Sequence, residues 1–195
     1  MSPSTALSTY GTRFMARKAF SVIGKEFRIF GPEGHLQFVV KQKAFKLKEE
    51  IVIFADEDQK QPRLTIKARS MMDLSATYDV TDAATGDKVG ALRRKGLKSV
   101  LRDEWAILDT SDTEVGRIQE DSTFFALIRR FLSNLVPQTF NVDLDGRRVG
   151  QIKQRWNPFR LAYDVDFSAD ASGTLDRRLG VAMTILLLAI EGRQN

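Results

Sequence analysis

The chain of 195 residues has no cysteine and one histidine, His35. Structural zinc, thiol catalysis, Cys–His dyads and disulfide frameworks all draw on these two residue types, so their shortage argues against each. Catalytic signatures are missing too. There is no Gly-x-x-x-x-Gly-Lys phosphate loop, no Gly-x-Gly-x-x-Gly, no His-Glu-x-x-His and no Gly-x-Ser-x-Gly. His35 stands in the turn Gly34-His35-Leu36, where an exposed structural role is expected. The expectation is a protein that is not an enzyme, with no catalytic residue, metal ligand or cofactor.

Long apolar runs are equally scarce. No continuous one resembling a signal peptide occurs in residues 1–20, so cytoplasmic residence is the default expectation. One exception lies at 179–190, where Leu179, Val181, Met183, Ile185, Leu186, Leu187, Leu188 and Ile190 follow one another without a charge until Glu191. On a helix these side chains point in every direction, which suits a buried helix or a membrane span. The run is well short of the ~20 residues a span needs, and Arg177, Arg178 and Glu191 flank it. A buried core helix is the reading. Each such side chain contributes ~1.5–3 kcal/mol on burial, before entropy, so the domain should depend on this helix.

What is abundant is two-residue alternation. Phe27-Ile29, Leu36-Phe38-Val40, Ile51-Ile53, Leu64-Ile66-Ala68, Leu74-Ala76-Tyr78-Val80, Trp105-Ile107, Phe140-Val142-Leu144 and Tyr163-Val165-Phe167 each alternate with other residues. Turns such as Gly31-Pro32-Glu33-Gly34 and Asp56-Glu57-Asp58 separate them. Many short strands at near-regular spacing predict a sandwich or barrel. Residues 124–135 break the series. Phe124, Phe125, Leu127, Ile128, Phe131, Leu132 and Leu135 fall at helical spacing with Arg129 and Arg130 on the other side. The spacing predicts an amphipathic helix that packs on or plugs the sheet, or lies on a membrane.

A repeat recurs three times as Val-Gly-x-Leu/Ile: Val89-Gly90-Ala91-Leu92, Val115-Gly116-Arg117-Ile118 and Val149-Gly150-Gln151-Ile152. Each follows a turn and so opens the second strand of a hairpin. In a regular strand Gly and Leu/Ile share one face and Val takes the other. The glycine then either admits a closely approaching element or marks a β-bulge.

These features, with Lys-Gln-Arg-Trp at 153–156 and the closing apolar helix, resemble the LURP-one-related proteins of the tubby C-terminal-like superfamily, which also contains the phospholipid scramblases. The resemblance runs over about 14–191. It implies a closed antiparallel β-barrel of about twelve strands, mainly β, around a buried hydrophobic C-terminal α-helix. Residues 1–12 would be a flexible N-terminal segment and 13–195 a single barrel domain with its central helix at 175–191. Scramblases carry an acidic segment before their last helix, and here Asp164, Asp166, Asp170 and Asp176 occupy that stretch. Counted from Asp164, the twelfth position is Leu175 and the sixth is not glycine, so the stretch departs from an EF-hand-like loop.

Net charge is +5, which favours polyanions. Basic residues cluster as Arg93, Arg94, Lys95, Lys98 and Arg102, as Lys41, Lys43, Lys46 and Lys48, and as Arg147, Arg148, Lys153 and Arg155. Tubby domains bind phosphoinositide headgroups through surface Lys and Arg, so the resemblance implies anionic-ligand binding at the 93–102 cluster. Five converging charges at ~1 kcal/mol each would give salt-sensitive attachment to a membrane surface. Nucleic acid ranks below lipid, because no aromatic side chain is interleaved in 93–102. The expectation is a peripheral binding protein for anionic phospholipid headgroups, cytoplasmic or peripheral at the membrane. A protein-interaction scaffold and a scramblase-like membrane protein are the alternatives.

Overall fold

The structure, a computed structural model, describes residues 10–19, 25–42, 50–70, 76–95, 104–121, 137–157 and 160–190. The alternating segments form β1 (Arg13–Ala19), β2 (Lys25–Phe30), β3 (Leu36–Gln42), β4 (Ile51–Phe54), β5 (Pro62–Ala68) and β6 (Thr77–Asp82). They continue as β7 (Lys88–Arg94), β8 (Glu104–Leu108), β9 (Glu114–Glu120), β10 (Thr139–Leu144), β11 (Arg147–Gln154) and β12 (Ala162–Asp166). Each strand pairs with its sequence neighbour and β12 returns to β1, giving a closed antiparallel barrel with no free edge. One face of each strand turns inward, with Phe27, Ile29, Phe38, Ile53, Leu64, Ile66 and Phe140 all fully buried.

A barrel of this many strands is too wide for side chains alone to fill. The helix α1 (Arg177–Ile190) supplies the missing core, and every residue in it except Arg178 is buried. It starts two residues later than the sequence suggested because Asp176 caps it: the Asp176 Oδ1 accepts the Arg178 amide at 2.9 Å. The helix enters at the end of the barrel where β6 finishes, since Arg178 Nη1 reaches Asp82 Oδ2 at 2.9 Å. It runs to the opposite end, where Lys25 Nζ, at the start of β2, donates to the Ala189 carbonyl at 3.1 Å. A cation on the last carbonyls suits the negative pole of the helix.

The Val-Gly repeat proves to be a bulge and a close approach together. The register slips once in each of five hairpins, leaving Gln37, Arg63, Val89, Val115 and Val149 as the extra residue of β3, β5, β7, β9 and β11. Bulges at a barrel rim sharpen the bend that closure requires. Strict alternation, which would place every Val of the repeat on the outer face, fails here: Val89 and Val149 are buried in the core. The glycines meet different neighbours. A Cβ on Gly90 would lie 2.6 Å from the Leu108 carbonyl oxygen and 3.0 Å from Leu179 of α1. On Gly116 it would strike Asp143 and Leu144 of β10, and on Gly150 the Phe167 ring beyond β12. Only the first of these accommodates the helix. Gly180 of α1 likewise faces the Phe167 ring, not a strand backbone.

Smaller differences have local causes. β6 begins at Thr77, and Phe167 lies one residue past β12, where its amide donates to Thr12 O at 2.8 Å. Tyr10 is buried and stacks on Phe38 with ring centroids 5.0 Å apart. Leu74, the 124–135 segment and Glu191 lie outside the described residues.

Candidate functional site

The basic cluster begins where β7 ends, and its outward side chains lean back to Glu114, the first residue after the 109–113 turn. β7 presents successive side chains to opposite faces, so Arg93 and Arg94 separate. Arg93 Nη2 pairs with Glu114 Oε2 at 2.9 Å. Lys95 Nζ reaches the other oxygen of Glu114 at 2.8 Å and Glu104 Oε1 at 3.1 Å. These hydrogen bonds, Glu114's first, hold the Lys95 ammonium above its ordinary pKa, and Lys95 holds the Glu114 carboxyl below its own. Arg94 lies against the other face, its guanidinium 6.0 Å from the buried Trp105 ring. Arg93 and Lys95 therefore form one outer patch with two carboxylates, and Arg94 stands apart from it. Lys98 and Arg102 lie outside the described residues.

The other two clusters are dispersed. Lys41 donates to the Glu57 carbonyl at 3.0 Å, and Lys43, Lys46 and Lys48 are outside the described residues. Arg147 and Arg148 open β11 while Lys153 nearly closes it, so the hairpin cluster divides between two ends of one strand. Arg148 is tied to Asp143 Oδ1 and Asn141 Oδ1, both at 2.6 Å, and Arg155 to Asp164 Oδ2 at 2.7 Å. The carboxylates before α1 are engaged separately. Asp166 pairs with Arg13 at 3.0 Å, Asp170 with Arg177 at 3.1 Å and Asp176 with Arg178 at 2.7 Å. Among the described residues no three His, Cys, Asp or Glu side chains converge on a metal-sized point.

The hairpin turns concentrate carboxylates. The turns that close the five hairpins hold Glu33, Asp56, Glu57, Asp58, Asp87, Asp109, Asp112 and Asp145, and the segment leading into α1 adds Asp170 and Asp176. Lys60 is the single Lys or Arg within these segments, while Arg13, Lys88, Arg147, Arg148, Arg177 and Arg178 open the strands and helix beside them. This acidic end surrounds the positive pole of α1, a placement the helix dipole favours. It also contains a cavity of about 260 Å³, floored by Val89, Ile107, Leu144 and Leu179 and rimmed by Asp109, Asp145 and Asp176. Since the whole chain is +5, the positive excess belongs to the barrel wall and the remaining segments. No single sequence motif announces this polarity. It emerges because alternate connections lie at the same end of an up-and-down barrel.

A closed antiparallel barrel threaded by an apolar C-terminal helix is the tubby-like arrangement. Within that class the family model of the LURP-one-related proteins matches residues 36–188, and the chain belongs to that family. An X-ray structure of an Arabidopsis thaliana protein is similar in fold, with a TM-score of 0.51 and 13% identity over 93% of each chain. No curated protein sequence matches the chain. No helix among the described residues is long and apolar enough to cross a membrane.

Proposed function

We propose that this protein binds anionic phospholipid headgroups as a non-enzymatic, peripheral protein of the cytoplasm, using surface Lys and Arg. The observation that supports the reading best is the outward patch of Arg93 and Lys95 on a chain of net charge +5. A net charge of +5 draws the molecule towards an anionic surface before contact, and the carboxylate-rich turns are the part that surface repels. Arg93, Arg94 and Lys95 stand where β7 ends, and Lys98 and Arg102 follow them in the chain. Arg93 and Lys95 already share Glu114, so a phosphate competes with this carboxylate for them. The patch is thereby held in shape in the absence of ligand, at the cost of weaker binding.

Sedimentation with liposomes tests this reading. Binding to vesicles containing phosphatidylserine, weakened between low and physiological salt and absent for neutral vesicles, is the expected result. Arg93→Ala, Arg94→Ala and Lys95→Ala together should reduce it. Folded protein that sediments with neither kind of vesicle overturns the proposal and favours a protein partner.

A further inference from the structure

Trp156 is the large hydrophobic side chain that stands exposed among the described residues, at 64% of its surface, whereas Trp105 is 1% exposed. It follows β11 directly and so lies at the end of the barrel away from the acidic turns. The segment carrying it is fixed. The Arg155 amide donates to Ala162 O at 2.8 Å, and the Arg160 amide donates to Asn157 Oδ1 at 3.0 Å. The Lys18 amide donates to Leu161 O at 2.9 Å, which brings the end of β1 alongside.

The cations at this end of β1, β11 and β12 differ from those on β7. Lys18, Lys153 and Arg160 are exposed, and among the described residues none of the three has an ion-pair partner. Arg155 is the exception, held by Asp164. An exposed indole that shares its end of the barrel with uncommitted cations has the chemistry of the bilayer interface. Its ring is apolar enough to leave water, and its N–H still finds a partner at headgroup level. The cations meet the negative surface potential of an anionic leaflet.

We propose that Trp156 is a membrane anchor, inserting its indole among the headgroups of an anionic bilayer while Lys18, Lys153 and Arg160 engage lipid phosphates. This rests on the anionic-phospholipid reading above and places the point of contact at the β11–β12 connection, beside β1. Anchoring by one ring and three cations is shallow and reversible.

The two tryptophans make the test direct, because buried Trp105 contributes a constant background. Fluorescence and sedimentation are followed together as vesicles of phosphatidylcholine, with or without phosphatidylserine, are added to the full chain. The expected result is a blue shift and protection from iodide quenching with the anionic vesicles alone. Trp156→Phe should remove the blue shift. Trp156→Ser should weaken sedimentation roughly tenfold, the scale of one partly inserted aromatic ring. Changing Lys18, Lys153 and Arg160 together to Ala should weaken it further without changing the circular dichroism spectrum. Undiminished sedimentation of Trp156→Ser, with no blue shift in the parent, overturns the anchor and leaves the headgroup reading standing. No sedimentation of the parent with either vesicle overturns both.

Discussion

Asp170 and Arg177 face each other across the entrance of the barrel, Oδ2 to Nη2 at 3.1 Å, with side chains 1% and 7% exposed. Arg177 also donates to the Asp170 carbonyl at 3.1 Å, and its guanidinium lies 5.7 Å from the Phe167 ring. Asp170 in turn accepts the amides of Thr174 at 2.9 Å and Leu175 at 3.0 Å. The pair thus ties the turn after β12 to the first residue of α1. Asp170→Ala strips the partner from a buried guanidinium and should cost about 3–5 kcal/mol. Replacing both residues by apolar ones of similar size should cost less than the sum of the single changes, as a double-mutant cycle in urea would measure. Additive single effects would show that the two residues act independently.

Gly150 and Gly173 have opposite reasons for being glycine. Gly150 lacks a positive φ but packs so closely that a Cβ would sit 2.6 Å from the Asp166 carbonyl oxygen and against the Phe167 ring. Gly173 has φ +67 and open space around it. Gly150→Ala should therefore destabilise by overpacking, about 1–3 kcal/mol, and Gly150→Val by more. Gly173→Ala should lose about 1–2 kcal/mol from backbone strain alone and should not worsen with larger side chains, except for the stiffer β-branched ones. Thermal unfolding of an Ala and Leu series at both positions distinguishes steric from conformational cost.

Acid should loosen the entrance of α1. Burial alone would raise the Asp170 carboxyl, but the amides of Leu175 and Thr174, with Arg177, outweigh it and hold the group below its ordinary value. Asp82 is also held low, its burial outweighed by the Ala84 amide and Arg178. A depressed carboxylate stabilises the fold fully above its unfolded value of about 4, and this is lost as pH falls through the folded value. Asp112 is lowered to about 2, first by Arg69 and then by Lys88, but it is exposed and adds little. The urea midpoint should thus fall below about pH 4, and Asp170→Asn should flatten that limb. At the other extreme burial, then Asp82, pushes the Tyr10 phenol up to about 12. Stability should be intact below pH ~10 and decline above it, less steeply in Tyr10→Phe.

Glu114 restrains the proposed headgroup surface. Glu114→Gln keeps the shape and removes the charge that Arg93 and Lys95 share, so salt-sensitive binding to phosphatidylserine vesicles should increase several-fold, by about 1 kcal/mol of freed charge. Unchanged or weaker binding would remove Arg93 and Lys95 from the contact.

Much of this architecture was legible in residue order because its signals are local. Alternation in stretches such as Leu64-Thr65-Ile66 sets which side of a strand is apolar, and an all-round apolar run at 179–190 has no stable place in water. The three Val-Gly steps announced a special backbone position, and the family resemblance supplied the barrel that the helix fills. Tertiary structure alone decided the rest. Whether Gly90 or Gly150 faces the helix depends on which strand and turn pack beside it, a long-range fact. Arg93 and Lys95 looked like open cations in sequence, yet two carboxylates from β8 and β9 reach them because the register brings those strands alongside. Asp170 and Arg177 differ from any other exposed-looking pair only through their burial. The acidic end exists because an up-and-down barrel gathers every second connection at one rim, a relation that is set by topology and invisible to any window along the chain.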